Sequence, residues 1–213
     1  SVHLNPHLSQ PVLRHGCAPA RARLAAILVH GRGRDAQEMI GIADRLELDD
    51  VAWLAPSAAG SSWYPNRFME PLASNQPMLD YALDRLRALV AGLASEGFGP
   101  GRILLMGFSQ GACLVSEYAV RNACRWGGVV AFTGGLLGPS GSAWNFGGNF
   151  AGTPVFLGTS DIDEWVPAAR VIETAKVMSD LGARVSLEIY RGMDHVVCDD
   201  EIRRARDLIA AVD

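Results

Sequence analysis

Ile103-Leu104-Leu105-Met106-Gly107-Phe108-Ser109-Gln110-Gly111-Ala112-Cys113-Leu114-Val115-Ser116-Glu117-Tyr118-Ala119 joins an apolar run to a helix-like stretch through one sharp corner. Residues 103–106 have the length and apolarity of a buried strand, and residues 112–119 suit a helix. Ser109 stands at the corner, with a glycine two residues before it and another two residues after. A turn tight enough to push a hydroxyl clear of a sheet leaves no room for a Cβ at those positions, and it is the setting of a nucleophilic serine. The spacing alone decides little. With 23 glycines and 14 serines in 213 residues, chance placement yields G-x-S-x-G about 0.16 times per chain, so the flanking strand and helix must support it.

Outward from this corner, further apolar runs bounded by turn residues occupy 24–29, 51–54, 128–132, 155–157 and 185–189. Short runs without polar alternation predict strands buried on both faces of a parallel sheet. Helical spacing separates them. Leu79, Leu83, Leu86, Val90 and Leu93 follow Asn75-Gln76-Pro77, which offers a cap and an early proline, and Val171, Ala175, Met178 and Leu181 precede Gly182. Ile202, Ala205, Ile209 and Val212 mark a last helix, whose first turn, Asp199-Asp200-Glu201, sets carboxylates where the helix dipole favours them. The alternation predicts an α/β fold: a mostly parallel central sheet with helices on both faces and an active site beyond the carboxyl ends of the strands. The first twenty or so residues read as an extended edge hairpin or arm. No repeat, low-complexity segment or linker interrupts the pattern, so residues 1–213 are expected to form a single domain.

Composition narrows the class. A chain of 213 residues that is 49% hydrophobic can bury a full core without staples. Cys17, Cys113, Cys124 and Cys198 are widely spaced with no C-x-x-C pair, which argues against a disulfide framework and for a reducing cytoplasm. The N-terminal residues lack a signal-peptide pattern, and no apolar run approaches membrane-spanning length. Net charge is −4, and the 19 basic residues are scattered apart from Arg203-Arg204-Ala205-Arg206, so nucleic acid is not an expected partner. That small cluster reads as a solvated helix face. With no H-E-x-x-H and no clustered His/Cys/Asp set, neither metal nor cofactor is expected. A homodimer is compatible with the chain, and no motif specifies the oligomeric state.

A serine hydroxyl becomes a good nucleophile only when a base takes its proton, and that base needs a carboxylate to hold the correct tautomer. Two later loops stand where these are required: 158–167 after the run at 155–157, and Gly192-Met193-Asp194-His195 after the run at 185–189. Serine, then acid, then histidine is the chain order of α/β-hydrolases. His3, His7 and His15 fall in the N-terminal arm, where exposed or capping roles are expected, and His30 heads a glycine loop with a backbone role. His195 remains as the base. Asp161, Asp163 and Glu164 all crowd the acid loop, and a neighbour of the acid could instead cap the helix starting near Val166-Pro167. The oxyanion needs two donors: the backbone N–H of Gln110 and, from His30-Gly31-Arg32-Gly33, the main chain of Arg32. The Arg32 side chain is not needed for that task.

Five segments, in order, resemble the phospholipase/carboxylesterase family, which includes bacterial carboxylesterases and acyl-protein thioesterases. They are residues 29–33, residues 55–66 with Ala55-Pro56-Ser57-Ala58 and Trp63-Tyr64, residues 107–111, residues 161–167, and residues 192–195. They span most of the chain, and the A-P-x-A and W-Y segment is far more specific than G-x-S-x-G. The resemblance implies an α/β-hydrolase fold without a large cap domain and a triad of Ser109, Asp163 and His195. Asp163 takes the acid position of the family's D-P-x-V-P through Asp163-Glu164-Trp165-Val166-Pro167.

The activity so implied is hydrolysis of a small-molecule or lipid acyl ester through an acyl-enzyme, as a carboxylesterase. A lysophospholipase or acyl thioesterase with the same triad is the alternative, and a non-catalytic ligand-binding module on this fold stands in a different class. A dienelactone hydrolase fits less well, because that family places Cys where this chain has Ser109. The family often has Pro where this chain has Glu164 and a smaller residue where it has Trp165, differences that bear on pocket width. The segment Trp63 to Pro77, with Phe68, Met69 and Leu72, is the expected wall over the acyl group, joined by Trp144 and Trp165; Trp63, Phe68, Leu72 and Trp165 are the expected pocket residues. Residues 134–152, rich in Gly and Ser, read as a rim or a connection.

Overall fold

Side chains along each central strand alternate between two hydrophobic layers, which is why these strands show no polar alternation. In the computed structural model, which describes residues 4–213, Ala25, Ile27 and Val29 of β2 (Leu24–Val29) face one layer, while Leu24, Ala26 and Leu28 face the other. In β4 (Ile103–Phe108), Ile103 and Leu105 take the first layer and Leu104, Met106 and Phe108 the second. Period-two geometry and helices on both faces together demand apolar residues at every position.

The remaining strands are β1 (Val12–Gly16), β3 (Val51–Pro56), β5 (Gly128–Phe132), β6 (Pro154–Ser160) and β7 (Arg184–Tyr190). They complete a seven-stranded sheet of order β1-β3-β2-β4-β5-β6-β7, with β1 antiparallel and every other pairing parallel. Helices α2 (Met78–Ser95), α3 (Gln110–Arg121) and α4 (Ala168–Asp180) cover the first layer. On the other face lie α1 (Ala36–Arg45) and α5 (Asp199–Ala210), which bury Met39, Ile40, Ile202 and Ile209. Each such fully buried side chain contributes about 1.5–3 kcal/mol. This is the α/β-hydrolase architecture, without a large cap. Among the described residues, no helix is long and apolar enough to cross a membrane.

Both sheet edges depart from the buried-strand pattern for the same reason. β7 has a neighbour on one side only, so Arg184, Ser186 and Ile189 remain exposed while Val185 and Leu187 are half-buried. The N-terminal arm supplies the opposite edge, with Val12 opposite Pro56 and Gly16 opposite Ala52. His15 is exposed there and pairs with Asp44 at 2.7 Å. His7 is different: it is fully buried, contrary to the exposed or capping role expected of it, because the arm folds back over residues 58–63. His3 lies outside the described residues.

The helix starts use their polar residues differently from the simple expectation. Gln76 Oε1 accepts from Asp80 N–H at the start of α2, while the Asn75 side chain turns inward and bonds Asn66 N–H and the Arg67 carbonyl. Glu201, in the first turn of α5, accepts from Cys198 N–H at 3.1 Å. The basic cluster is not simply solvated. Arg204 pairs with Asp200 and Glu188, and Arg206 donates to the Leu46 and Arg45 carbonyls, so this face ties α5 to β7 and to the end of α1.

Candidate active site

Ser109 leaves β4 with φ +57° and ψ −119°, a conformation that costs about 1–3 kcal/mol in a non-glycine residue. Its neighbours impose that corner. A Cβ on Gly107 would lie 2.3 Å from the Gly111 carbonyl oxygen, and one on Gly111 would lie 1.9 Å from that of Val29. Ser109 N–H donates to the Phe132 carbonyl at 2.9 Å, and the Ser109 carbonyl accepts from Cys113 N–H at 3.0 Å. Steric pressure and these two bonds hold the hydroxyl above the sheet, at the start of α3.

The other two side chains arrive from loops after β6 and β7. Ser109 Oγ lies 2.8 Å from His195 Nε2, and His195 Nδ1 lies 2.5 Å from Asp163 Oδ2. The Asp163 side chain is fully buried, and its Oδ1 accepts from Trp165 N–H and Val166 N–H at 2.9 and 2.8 Å. One carboxylate therefore both holds the turn into α4 and receives the imidazole. With Oδ2 accepting, the Nδ1–H tautomer leaves Nε2 free to take the serine proton. Asp161 serves the scaffold instead: Oδ1 accepts from Gly192 N–H at 2.7 Å and so links the acid loop to the histidine loop. Glu164 is exposed. The Phe108 ring lies 5.0 Å from that of His195, which adds an apolar contact to one part of the imidazole.

Arg32 and Gln110, the expected oxyanion donors, line the same cavity as Ser109. Gln110 opens α3, so its N–H has no intrahelical acceptor, and among the described residues neither it nor the Arg32 N–H meets a protein acceptor. Side chains of these same residues brace the adjacent segment. Gln110 Oε1 accepts from Trp63 N–H and its Nε2 donates to the Tyr64 carbonyl, both at 2.9 Å. Arg32, whose side chain had no expected role, donates to Ser62 Oγ and to the carbonyls of Tyr64, Pro65 and Asn66.

A cavity of about 310 Å³ opens in front of Ser109 and His195. Phe68 and Trp165 line it, together with Tyr64, Val166 and Cys113, and Arg32, Arg34 and Arg67 stand around it. Trp63 and Leu72 do not, and this corrects the expected pocket. Trp63 points into the core between the rings of His7 and His30, 5.2 and 5.1 Å away, with its Nε1–H donating to the His30 carbonyl. Leu72 packs half-buried against the core, as do Met69 and Trp144. Trp144 Nε1–H donates to the Leu137 carbonyl, and Arg170 holds the Leu136 and Gly138 carbonyls, so residues 134–144 are a tied connection behind the wall. Burial pushes the Cys113 thiol up to about 12, so at neutral pH it is not a rival nucleophile.

Tyr64 and Arg67 lie within the expected wall segment 63–77 but were not singled out in it, and sequence reasoning identified neither Arg34, Cys113 and Val166 as lining residues nor the histidine brace. His7 Nδ1 accepts from Ala59 N–H while its Nε2–H donates to the Trp63 carbonyl. His30 Nε2 accepts from Ala58 N–H while its Nδ1–H donates to the Gly31 carbonyl. Two neutral imidazoles of opposite tautomer thus pin the segment that carries Tyr64. The W-Y motif and the expected wall at 63–77 pointed to this segment, but not to the imidazoles that hold it.

Comparison with known proteins shows the family. The Phospholipase/Carboxylesterase family model matches residues 16–213. The crystal structure of a phospholipase/carboxylesterase from Dyadobacter fermentans DSM 18053 is similar at 41% identity and a TM-score of 0.91, over 95% of this chain and 97% of that one. Acyl-protein thioesterase 1 of Saccharomyces cerevisiae is 30% identical over 123 residues, 57% of this chain, and the match spans only 54% of the yeast protein. The protein of that name from Neurospora crassa is 23% identical over 90% of this chain and 88% of its own length. The chain belongs to the phospholipase/carboxylesterase family of ester-cleaving α/β-hydrolases.

Proposed function

We propose that this protein hydrolyses carboxylic acyl esters by a two-step mechanism at Ser109. The observation that carries the reading is the unbroken chain from Ser109 Oγ through both nitrogens of His195 to the buried Asp163. Ser109 Oγ attacks the acyl carbonyl as its proton passes to His195 Nε2. Asp163 stabilises the resulting imidazolium through Nδ1–H, and the oxyanion receives hydrogen bonds from the Arg32 and Gln110 backbone N–H groups. His195 returns the proton to the departing alcohol. Water, losing its proton to the same Nε2, then attacks the acyl-enzyme, and collapse of the second tetrahedral intermediate restores Ser109 and releases the acid.

The cavity of about 310 Å³ is at the small end for a ligand site, and Trp165 and Phe68 narrow it, which favours a short acyl group. The acyl-protein thioesterase relatives support a second reading, cleavage of thioesters at the same serine. A binding module without catalysis is disfavoured, since such modules tend to lose a member of the set and all three groups are here in register. We further place the chain as a single unit acting in the cytoplasm, supported by four free cysteines.

A fluorophosphonate probe tests the reading: it should label the folded wild type at Ser109 and leave Ser109→Ala unlabelled. Ser109→Ala should lose nearly all turnover of 4-nitrophenyl butyrate and keep its fold. Substantial turnover in that variant would place the nucleophile elsewhere, and absence of labelling in folded wild type would favour the binding module. Acetyl, octanoyl and palmitoyl esters and thioesters, compared by kcat/KM, separate the two hydrolase readings.

A further inference from the structure

Three guanidinium groups and no carboxylate line the cavity in front of Ser109, in a chain whose net charge is −4. Their surroundings differ. Arg32 directs donors to Ser62 and to three carbonyls of the wall. Arg34 pairs with Glu38 at 2.7 Å and lies 5.0 Å from the centre of the Phe108 ring. Arg67 has neither kind of partner: among the described residues its side chain makes no ion pair and donates no hydrogen bond. Glu70 and Glu164 are the nearest acids along the chain to Arg67 and to Trp165, and neither pairs with it. The Arg67 guanidinium instead sits 6.0 Å from the centre of the Trp165 ring.

Ester hydrolysis gives no reason for a cation at this point, because two backbone donors already serve the oxyanion. Arg67 is exposed, and its unneutralised guanidinium at the mouth of a cavity also lined by Phe68, Val166 and Trp165 attracts an anion in a field that salt screens. Its planar fork also matches a carboxylate or phosphate in geometry. A sphere of the cavity's volume is about 8 Å across, so a group at Arg67 and an ester at Ser109 belong to one short substrate.

We propose that Arg67 is a specificity-determining residue that selects esters carrying an anionic group, a carboxylate or a phosphate, with Arg34 and Arg32 adding to the local field. The inference rests on ester hydrolysis at Ser109 as set out above.

The test compares charged and neutral esters of matched size on the full chain. For an anion on the acyl side, the pair is 4-nitrophenyl hydrogen glutarate and 4-nitrophenyl methyl glutarate. For one on the alcohol side, it is butyryl-glycerol phosphate and butyryl-glycerol. The charged member of one pair should exceed its neutral partner in kcat/KM by about tenfold at low salt. The preference should shrink as salt is raised. Arg67→Gln should abolish it through KM, lowering kcat/KM about tenfold for the charged ester and far less for the neutral one, and Arg67→Lys should restore part of it. The pair that responds identifies the side on which the anion sits.

Equal kcat/KM within both pairs, a preference that survives Arg67→Gln, or an equal fall for charged and neutral esters overturns the inference and leaves ester hydrolysis standing. Failure to turn over any of the four also overturns it. Fluorophosphonate labelling of Ser109 then shows whether the proposed function falls with it.

Discussion

Gly111, at the start of α3, lies so close to Val29, at the end of β2, that a Cβ on it would sit 1.9 Å from the Val29 carbonyl oxygen. The glycine required by the serine corner is therefore also the contact that sets α3 against the loop carrying Arg32. The clash is with backbone, which cannot rotate away. Gly111→Ala should cost about 3 kcal/mol or more. Gly92, exposed in α2 with nothing within 4 Å of its would-be Cβ, provides the contrast, and Gly92→Ala should stabilise by about 1 kcal/mol. Urea midpoints check both, and shifts of the same sign would contradict the packing argument.

Asp163→Asn separates orientation from structure. An amide oxygen at Oδ1 can still accept from the Trp165 and Val166 N–H groups, so the turn into α4 is kept. The amide nitrogen then faces His195 Nδ1 and favours the tautomer with its proton on Nε2, which cannot accept the serine proton. Turnover of 4-nitrophenyl butyrate should fall about 10³- to 10⁴-fold while the melting temperature moves by only a few degrees. A variant retaining a tenth of the activity would remove Asp163 from the mechanism.

Glu201 and the two buried histidines give stability opposite pH dependences. Burial lifts the Glu201 carboxyl to about 7, and its Oε2 has no partner. The folded state therefore holds this proton more tightly than the unfolded chain, whose ordinary value is 4.5. Stability from this group is full below 4.5 and is lost as pH rises through about 7. Burial lowers His7 and His30 from 6.5, so their contribution is present above 6.5 and is lost as pH falls below it. Glu201→Gln keeps an acceptor for Cys198 N–H and removes the buried charge. Relative to wild type, its stability should improve between pH 5 and pH 8 by up to about 3 kcal/mol, measured by urea unfolding. A difference independent of pH would show that Glu201 does not titrate in this range.

Trp165, 57% exposed, stands at the mouth of the cavity. Trp165→Ala should widen the acyl space, raising the ratio of octanoyl to butyryl kcat/KM by about three- to tenfold. Turnover of the butyryl ester itself should stay within about threefold. An unchanged ratio would mean that Phe68, not the indole, limits acyl length.

Much of this molecule was legible in one dimension, because its strongest constraints are local. The apolar runs at 24–29 and 128–132 coincide with β2 and β5, since a strand between two helical layers must be apolar at every position. Gly107 and Gly111 marked the corner at Ser109 because each is the only residue that fits where it lies. Chain order then pointed to two loops for the acid and the base. The family resemblance, rather than the loop itself, singled out Asp163 from Asp161 and Glu164.

What the sequence by itself determined was therefore the strand and helix pattern, the sharp turn and the segments that carry the chemistry. Tertiary structure decided which way side chains point once the loops close. It set Asp163 on His195 and Asp161 on Gly192, turned Trp63 inward between two imidazoles, buried His7, and brought Arg32, Arg34 and Arg67 around one cavity. Periodicity and backbone sterics act between neighbours in the chain and leave a readable trace. Convergence of residues 31 to 86 positions apart depends on loop paths and on which buried polar atoms find partners, and no local pattern records that.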